Sequence, residues 1–286
     1  MELTTEQTNQ FHRDGFLLME SVFSPAEIGK MREELTLLKA MECPERILEK
    51  DGTTRSFFAP ETKSKLFDSV VRQQRLVDAS KRILDSDVYV HQSKLNTKRA
   101  IVGDKWDWHQ DYIFWHKDDG MPEPRVINAM IYLDEMTEFN GPLYVIPGSH
   151  RDGMSEEVAE EVSLESESEW FKTYQKSQPY MSSLTANLKY TLSDESVAAW
   201  ANKRGIVSGK GPVGSVLFFH GNLFHASPSN VSPWDRDTFI VSYNSIENPL
   251  KVIDNPRPEF ISRRDFSPIQ PLGAEALENY EVVEVG

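Results

Sequence analysis

Cysteine is almost absent from this sequence, which has a single one, Cys43, in 286 residues. One thiol cannot form an internal disulfide, nor can it supply the several sulfur ligands of a zinc or iron–sulfur site. Apolar runs of about 18 residues are also missing, so no membrane-spanning helix is predicted. The first residues have neither the basic start nor the apolar stretch of a secretory signal. These absences predict a cytoplasmic protein that does not bind a membrane.

Positive charge is scarce, with 31 Lys and Arg against 45 Asp and Glu and a net charge of −14. A nucleic-acid or anionic-membrane binder would need a basic face, so we expect neither partner. Dinucleotide and nucleotide motifs (GxGxxG and the P-loop) are missing as well. Length and composition fit one domain over residues 1–286 with a small-molecule substrate. They leave the oligomeric state open.

Helical signals come first and strand signals follow, which favours an α+β fold. The first forty residues predict helix, turn, helix, the second helix beginning with the capping box Ser24–Glu27. Short runs rich in Val, Ile, Phe and Tyr then predict strands of a β-sandwich or barrel, at 87–90, 126–133, 143–146, 216–219 and 239–243. Residues 151–205 interrupt this pattern. We interpret them as a partly helical insertion, either a solvated face or a mobile lid over a site.

Two histidines and an aspartate form the strongest chemical signal. His109 and Asp111 are two residues apart, so in a strand both side chains would point to one side. His225, after the strand at 216–219, is a third candidate ligand, with His220 as its rival. Two histidines and one carboxylate occupy one face of an octahedral metal. Such a set suits Fe(II), because the open positions can accept an organic co-substrate and O₂.

Arg236 lies eleven residues after His225 and opens a strand that is otherwise rich in apolar and β-branched residues. A buried arginine is costly unless it is paired. Its planar guanidinium suits the distal carboxylate of a dicarboxylate co-substrate that chelates iron with its other end. The alternative is a structural ion pair with Asp235 or Asp237.

These residues together resemble the phytanoyl-CoA dioxygenase superfamily of Fe(II)/2-oxoglutarate oxygenases. The segments Phe11–Phe16 and Phe139–His150 are also similar to that family. Segments 87–96, 108–115, 119–122 and 256–260 resemble one branch, which holds ectoine hydroxylases and bacterial free-leucine hydroxylases. The likeness covers nearly the whole chain and is weakest at 151–205.

The resemblance implies a double-stranded β-helix (a jelly roll, or cupin-like fold) with the N-terminal helices packed on one side. It implies Fe(II) as cofactor, with 2-oxoglutarate and O₂ as co-substrates. The implied iron ligands are His109, Asp111 and His225. The residues implied for 2-oxoglutarate are Arg236, Ser227, Lys98, Asn96 and Trp106. Those implied for the substrate are Gln92, Trp115, Arg257, Phe114 and Asn128.

The expected reaction is hydroxylation of an unactivated C–H bond in a small free amino acid. Ile113-Phe114 replaces a polar pair found in ectoine hydroxylase, and Asn128 matches the leucine-type enzymes, so a leucine-like aliphatic substrate is favoured. Ectoine, another cyclic amino acid, or a peptide or secondary-metabolite precursor is the alternative. Two other classes stay open at this point: a metal-dependent hydrolase and a non-catalytic jelly-roll binding protein.

Overall fold

The computed structural model describes residues 2–151, 167–185 and 188–280. Its α-helices are α1 (Thr5–Asp14), α2 (Pro25–Lys39), α3 (Lys65–Val71), α4 (Gln74–Leu84), α5 (Asp111–Asp119), α6 (Glu169–Gln175), α7 (Asp194–Arg204) and α8 (Glu275–Glu278). Its strands are β1 (Phe16–Met19), β2 (Arg46–Leu48), β3 (Thr54–Phe58), β4 (Val88–Lys98), β5 (Trp106–His109), β6 (Val126–Tyr132), β7 (Tyr144–Val145), β8 (Val207–Ser208), β9 (Val216–His220), β10 (His225–Ser227) and β11 (Arg236–Ser245). Helices at both ends and strands between them confirm the mixed fold class.

The strands form two antiparallel sheets. The larger has seven strands in the order β1-β9-β6-β11-β4-β3-β2, and the smaller has four in the order β5-β10-β7-β8. Side chains from β4, β9 and β11 of the larger sheet and from β5 and β10 of the smaller line one cavity. The two sheets therefore face each other across this cavity, as in a double-stranded β-helix.

The N-terminal helices cover the outer face of the larger sheet. Apolar residues of α1 to α4 share one buried cluster with residues of β4, β6, β9 and β11. Both of the first two helices begin with a capping box, at Thr4 and at Ser24, and each box satisfies two backbone N–H donors at the helix start. This layer holds the larger sheet rigidly behind the cavity.

The helix, turn, helix prediction for the first forty residues was wrong in one element. The segment between the helices is β1, which pairs with β9 in the register Phe16↔Phe219 to Met19↔Val216. Its apolar run Phe-Leu-Leu-Met shows no alternation, because both faces of the strand meet apolar side chains: Leu17 belongs to the cluster under the helices, and Phe16 and Leu18 pack against a second cluster.

The insertion at 151–205 is helical in the part that the structure describes. That part contains α6, a 3-10 helix at Pro179–Ser183 and α7. Residues 152–166, which carry most of the glutamates of this insertion, lie outside the described residues. The lid and the single-domain organisation therefore stay predictions. Among the described residues no helix is long and apolar enough to cross a membrane.

Candidate active site

Strand pairing brings the two predicted histidine ligands together. His109 ends β5 and lies directly opposite His225, the first residue of β10, in an antiparallel pair. Asp111 follows as the first residue of α5. One ligand atom from each of the three side chains lies within 4.8 Å of the other two, and all three residues are buried. A single cation could contact all three.

The geometry that we expected for His109 and Asp111 was wrong in detail. They do not alternate along one strand, because β5 ends at His109 and a helix begins two residues later. The Tyr112 N–H donates to the Gly221 carbonyl oxygen at 2.9 Å, which ties the start of α5 to the turn before β10. The carboxylate reaches the histidines from a helix start and not from a strand.

Backbone contacts orient both imidazoles for metal binding. Nδ1 of His109 lies 2.6 Å from the Asp107 carbonyl oxygen, and Nδ1 of His225 lies 2.8 Å from that of Leu223. A carbonyl accepts, so each Nδ1 carries the proton and each Nε2 keeps its lone pair. These Nε2 atoms lie 3.6 Å and 3.8 Å from the Asp111 carboxylate oxygens. The donor set therefore fits a divalent iron.

The protonation states of His225 and Asp111 also favour metal binding. Burial and the neighbouring His109 lower the pKa of His225 to about 4, so this imidazole is neutral at physiological pH. Burial opposes the ionisation of Asp111, yet His225 and Lys94 hold the pKa of its carboxyl below the ordinary range. A neutral imidazole and an ionised carboxylate are the forms that bind metal.

His220, the rival ligand, lies elsewhere. Its Nδ1 accepts the Asn222 N–H at 3.0 Å, and its ring packs 5.1 Å from that of His150. It is not part of the metal-ligand cluster found among the described residues. His220 supports the turn that carries His225.

Arg236 is buried without a carboxylate partner among the described residues. Its guanidinium donates to the Gly141 carbonyl oxygen, to the Ser227 hydroxyl at 3.2 Å, and weakly to the Asn140 carbonyl at 3.4 Å. Burial lowers its pKa to about 10, so it still carries its charge at neutral pH. A buried cation that meets only neutral acceptors is suited to an anionic ligand.

The structural ion pair that was the alternative for Arg236 does not form. Asp237 pairs with Lys39 at 2.8 Å, and Asp235 accepts the Ala100 N–H at 2.7 Å. Lys98 lies opposite Arg236 in the β4–β11 register and donates to the carbonyl oxygens of Ser227 and Pro228. Burial and the nearby Arg236 hold the Lys98 pKa well below its usual range. Two buried basic side chains thus flank Ser227.

The cavity between the sheets contains most of the predicted site residues. It is lined by the three candidate ligands and by Asn96, Trp106 and Ser227 of the 2-oxoglutarate set, and by Gln92, Phe114, Trp115 and Arg257 of the substrate set. Arg236 and Lys98 do not line the cavity themselves, but each donates a hydrogen bond to Ser227, which does. Asn128 does not line it either, because its amide donates to the Asp111 carboxylate at 2.8 Å.

Two basic side chains at this site were not predicted. Lys94 lines the cavity between Gln92 and Asn96 on β4 and has no ion-pair or hydrogen-bond partner among the described residues. Arg55 lies under the cavity wall with its guanidinium 3.7 Å from the Trp106 ring centre. The alternation of β4 could have revealed Lys94, because Gln92, Lys94 and Asn96 share one strand face.

A buried metal triad, a buried arginine and two facing sheets define a metal-dependent oxygenase of the double-stranded β-helix class. The phytanoyl-CoA dioxygenase (PhyH) family model matches residues 11–238. The chain belongs to that family and is an Fe(II)/2-oxoglutarate-dependent dioxygenase, as the resemblance implied.

Named relatives agree with this assignment. An ectoine dioxygenase from Bordetella bronchiseptica is 36% identical over 285 residues, covering 96% of this chain and 87% of the relative. An L-proline trans-4-hydroxylase from Streptomyces griseoviridis is 32% identical over 270 residues, covering 94% and 96%. The crystal structure of EctD from S. alaskensis with 2-oxoglutarate and 5-hydroxyectoine has a TM-score of 0.79 and 29% identity, covering 95% of this chain and 88% of that one.

A structure of that EctD with bound Fe has a TM-score of 0.76. Iron and 2-oxoglutarate are thus the cofactor and co-substrate of this chain as well. The alternatives of a metal-dependent hydrolase and a non-catalytic jelly-roll binding protein are set aside.

Proposed function

We propose that this chain hydroxylates a small cyclic amino acid, using Fe(II) and 2-oxoglutarate. The observation that carries the proposal is the convergence of His109, Asp111 and His225 at a cavity backed by the unpaired Arg236. When bound, the iron supplies oxygen activation coupled to decarboxylation of 2-oxoglutarate to succinate and CO₂. The protein supplies geometry and exclusion of water.

The iron would be held by Nε2 of the two histidines and by the Asp111 carboxylate. Arg236, Ser227 and Lys98 would hold the distal carboxylate of 2-oxoglutarate, with Asn96 and Trp106 along its path. Arg236 is fixed by the Gly141 and Ser227 oxygens, so its guanidinium is oriented before the ligand arrives. Such preorganisation lowers the cost of binding.

The substrate would lie against the aromatic wall of the cavity. Phe114 and Trp115 contribute to this wall from α5, and Phe58 contributes from β3. The Gln92 side-chain amide donates to the Ile261 carbonyl at 2.7 Å, which leaves its oxygen as an acceptor in the cavity. Arg257 also lines the cavity and would bind the substrate carboxylate.

The lining supports a cyclic substrate over a leucine-like one. Among the described lining residues, Asp111 is the sole carboxylate, and it is committed to iron. A primary ammonium has three donors to satisfy, whereas a ring nitrogen has fewer and suits a neutral acceptor such as Gln92. The relatives named above act on ectoine and L-proline, both cyclic. The leucine-like interpretation had rested on Ile113-Phe114 and Asn128. Ile113, however, packs with Leu188 and Tyr190, and Asn128 contacts Asp111.

A substrate panel tests the proposal. Purified enzyme with Fe(II) and 2-oxoglutarate is offered ectoine, L-proline or L-leucine, and O₂ uptake, succinate and a product heavier by one oxygen atom are measured. We expect substrate-dependent succinate and product with a cyclic amino acid. L-leucine as the sole substrate would overturn the cyclic assignment.

A ligand variant completes this test. Asp111→Ala should abolish 2-oxoglutarate turnover, because two histidines alone do not form the facial set. Full turnover in that variant would remove Asp111 from the ligand set.

A further inference from the structure

Helix α5 carries a buried carboxylate at each end. Asp111 is its first residue and Asp119 its last, and Asp119 is completely inaccessible to solvent. A helical rise of 1.5 Å per residue places the two backbone positions about 12 Å apart. Phe114 and Trp115, between them, line the cavity. One rigid element therefore runs from the metal ligands, along the substrate wall, to Asp119.

The position of Asp119 is unfavourable for the helix itself. A carboxylate at a helix C-terminus meets the negative end of the helix dipole, and complete burial adds a desolvation cost. The helix stops directly after it at Gly120, whose φ is +80°. A Cβ at Gly120 would lie 2.6 Å from the Lys251 carbonyl oxygen, so this helix end is closely packed. The free-energy cost of burying the Asp119 carboxylate must therefore be offset by a specific partner.

That partner is Arg257. Its Nε and Nη2 donate to the two Asp119 carboxylate oxygens at 2.7 Å and 2.6 Å. His91 packs beside this pair, with Nε2 3.4 Å from Asp119 and its ring edge-on to Trp115 at 5.3 Å. Two of the three guanidinium nitrogens are thus held in a fixed plane.

The third nitrogen of Arg257, Nη1, has no hydrogen-bond partner among the described residues. Arg257 stands between Pro256 and Pro258, outside any helix or strand, so its own segment does not fix its side chain. It lines the inner cavity, together with the candidate iron ligands, and a second cavity toward the surface. The two hydrogen bonds to Asp119 are therefore what fixes the orientation of this guanidinium at the cavity.

We propose that Asp119 is a positioning residue that fixes Arg257 at a set distance from the iron ligands, through α5, and thereby determines which substrate carbon is hydroxylated. The inference rests on the proposed function, in which Arg257 binds the substrate carboxylate. Helix α5 then fixes the distance between Asp111 at the metal site and Asp119 beside Arg257. When Arg257 holds the substrate carboxylate, the distance from Arg257 to the iron determines which substrate carbon lies next to the iron.

The test compares Asp119→Asn with wild type on whichever of ectoine and L-proline the wild type hydroxylates. Asparagine keeps the shape but can accept from only one of the two guanidinium nitrogens. We expect kcat/KM for that substrate to fall about 10²-fold, more succinate released per hydroxylated product, and a mixture of positional isomers. KM for 2-oxoglutarate should stay unchanged. Calorimetry without O₂, with iron and 2-oxoglutarate present, should show the weaker substrate binding directly.

Matched variants separate positioning from folding. Asp118→Asn removes the adjacent carboxylate, which pairs with Lys189 at 2.8 Å, and should keep the wild-type product. In an Arg257→Ala background, adding Asp119→Asn should change the products no further, because Asp119 acts through Arg257. Asp119→Glu retains charge but lengthens the arm, and should also shift the product ratio if the asparagine variant does not fold.

Two results have different meanings. The inference alone would be overturned if Asp119→Asn or Asp119→Glu bound the substrate with wild-type affinity and gave the same single positional isomer as the wild type. Failure of the wild type to hydroxylate any cyclic amino acid would overturn the proposed function, and this inference with it.

Discussion

Asn128 donates its side-chain N–H to Oδ2 of Asp111 at 2.8 Å, and Ser242 in turn donates its hydroxyl to the Asn128 oxygen at 2.6 Å. All three residues are buried, and Asn128 and Ser242 face each other across β6 and β11. The carboxylate of the metal site is therefore held in a fixed orientation by the larger sheet. A direct substrate contact for Asn128 stays a prediction, and any such contact would need the side chain to leave Asp111.

Replacing Asn128 with leucine should weaken iron binding. The substitution removes the hydrogen bond that orients Asp111, and such supporting contacts affect metal affinity about 10- to 100-fold. Titration of the metal-free protein with Fe(II) under anaerobic conditions measures the change. Ser242→Ala, one step further away, should have a smaller effect in the same direction. Unchanged iron affinity in Asn128→Leu would show that the hydrogen bond plays no part in metal binding.

Replacing Arg236 with lysine should raise KM for 2-oxoglutarate. Lysine keeps the charge but loses the planar pair of donors, and a charge-assisted hydrogen bond contributes about 1.5–3 kcal/mol, or roughly 10- to 100-fold in affinity. KM for 2-oxoglutarate is measured at saturating substrate. KM for the amino-acid substrate should change little, since Arg236 lies behind Ser227, away from the substrate wall. An equal rise in both constants would argue against a specific role at the co-substrate.

Gly141→Ala should damage both stability and co-substrate binding. Gly141 has φ +78°, and a Cβ there would lie 2.6 Å from the Pro228 carbonyl oxygen and 2.8 Å from Cδ of Lys98. Its own carbonyl accepts from Arg236 and Ser227. We expect a loss of about 1–2 kcal/mol in the free energy of unfolding and a higher KM for 2-oxoglutarate.

Gly29→Ala provides the control for that substitution. Gly29 lies inside α2, and its Cβ position faces open space. Alanine there should raise the free energy of unfolding by about 0.5–1 kcal/mol and leave both KM values unchanged. Urea unfolding of the two variants under the same conditions measures the contrast. Equal effects of the two substitutions would contradict the backbone argument.

The Asp119–Arg257 pair should make stability depend on pH in the acid range. Burial opposes ionisation of Asp119, but Arg257 and His91 lower its pKa to about 2, below the ordinary value of about 3.9. A carboxyl with a depressed folded-state pKa stabilises the protein above about pH 4, and that contribution is lost as the pH falls toward about 2.

Urea unfolding of wild type and Asp119→Asn from about pH 6 to about pH 3 tests this. The stability difference between the two proteins should shrink by about 1 kcal/mol at the acid end. A difference that is constant over this range would show that the carboxyl titrates at its ordinary pKa.

The metal site was largely predictable, but its geometry was not. His109, Asp111 and His225 could be chosen from their residue types and spacing, together with the resemblance. Their convergence depends on the β5–β10 pairing and on a helix that begins at Asp111, and neither leaves a local pattern. The same holds for β1, which exists because it pairs with β9.

The substrate end was harder to predict, because its roles depend on side-chain partners. Arg257 was predicted to bind the substrate and lines the cavity, but its buried partner Asp119 was not identified. An aspartate at a helix end followed by glycine is typical of an ordinary helix stop. Asn128 was assigned to the substrate, although its amide contacts Asp111. Partners of this kind come from the packing of segments that are distant in sequence.

The smaller sheet is built from short strands, so few backbone hydrogen bonds join them. Its strands β5, β10, β7 and β8 have only four, three, two and two residues, and two of the ligands, His109 and His225, lie side by side on β5 and β10. Binding of one iron by both histidines would link β5 and β10, which backbone pairing alone joins weakly. Iron loss should then loosen the smaller sheet first, with faster amide exchange there, while the helix-backed larger sheet keeps its protection.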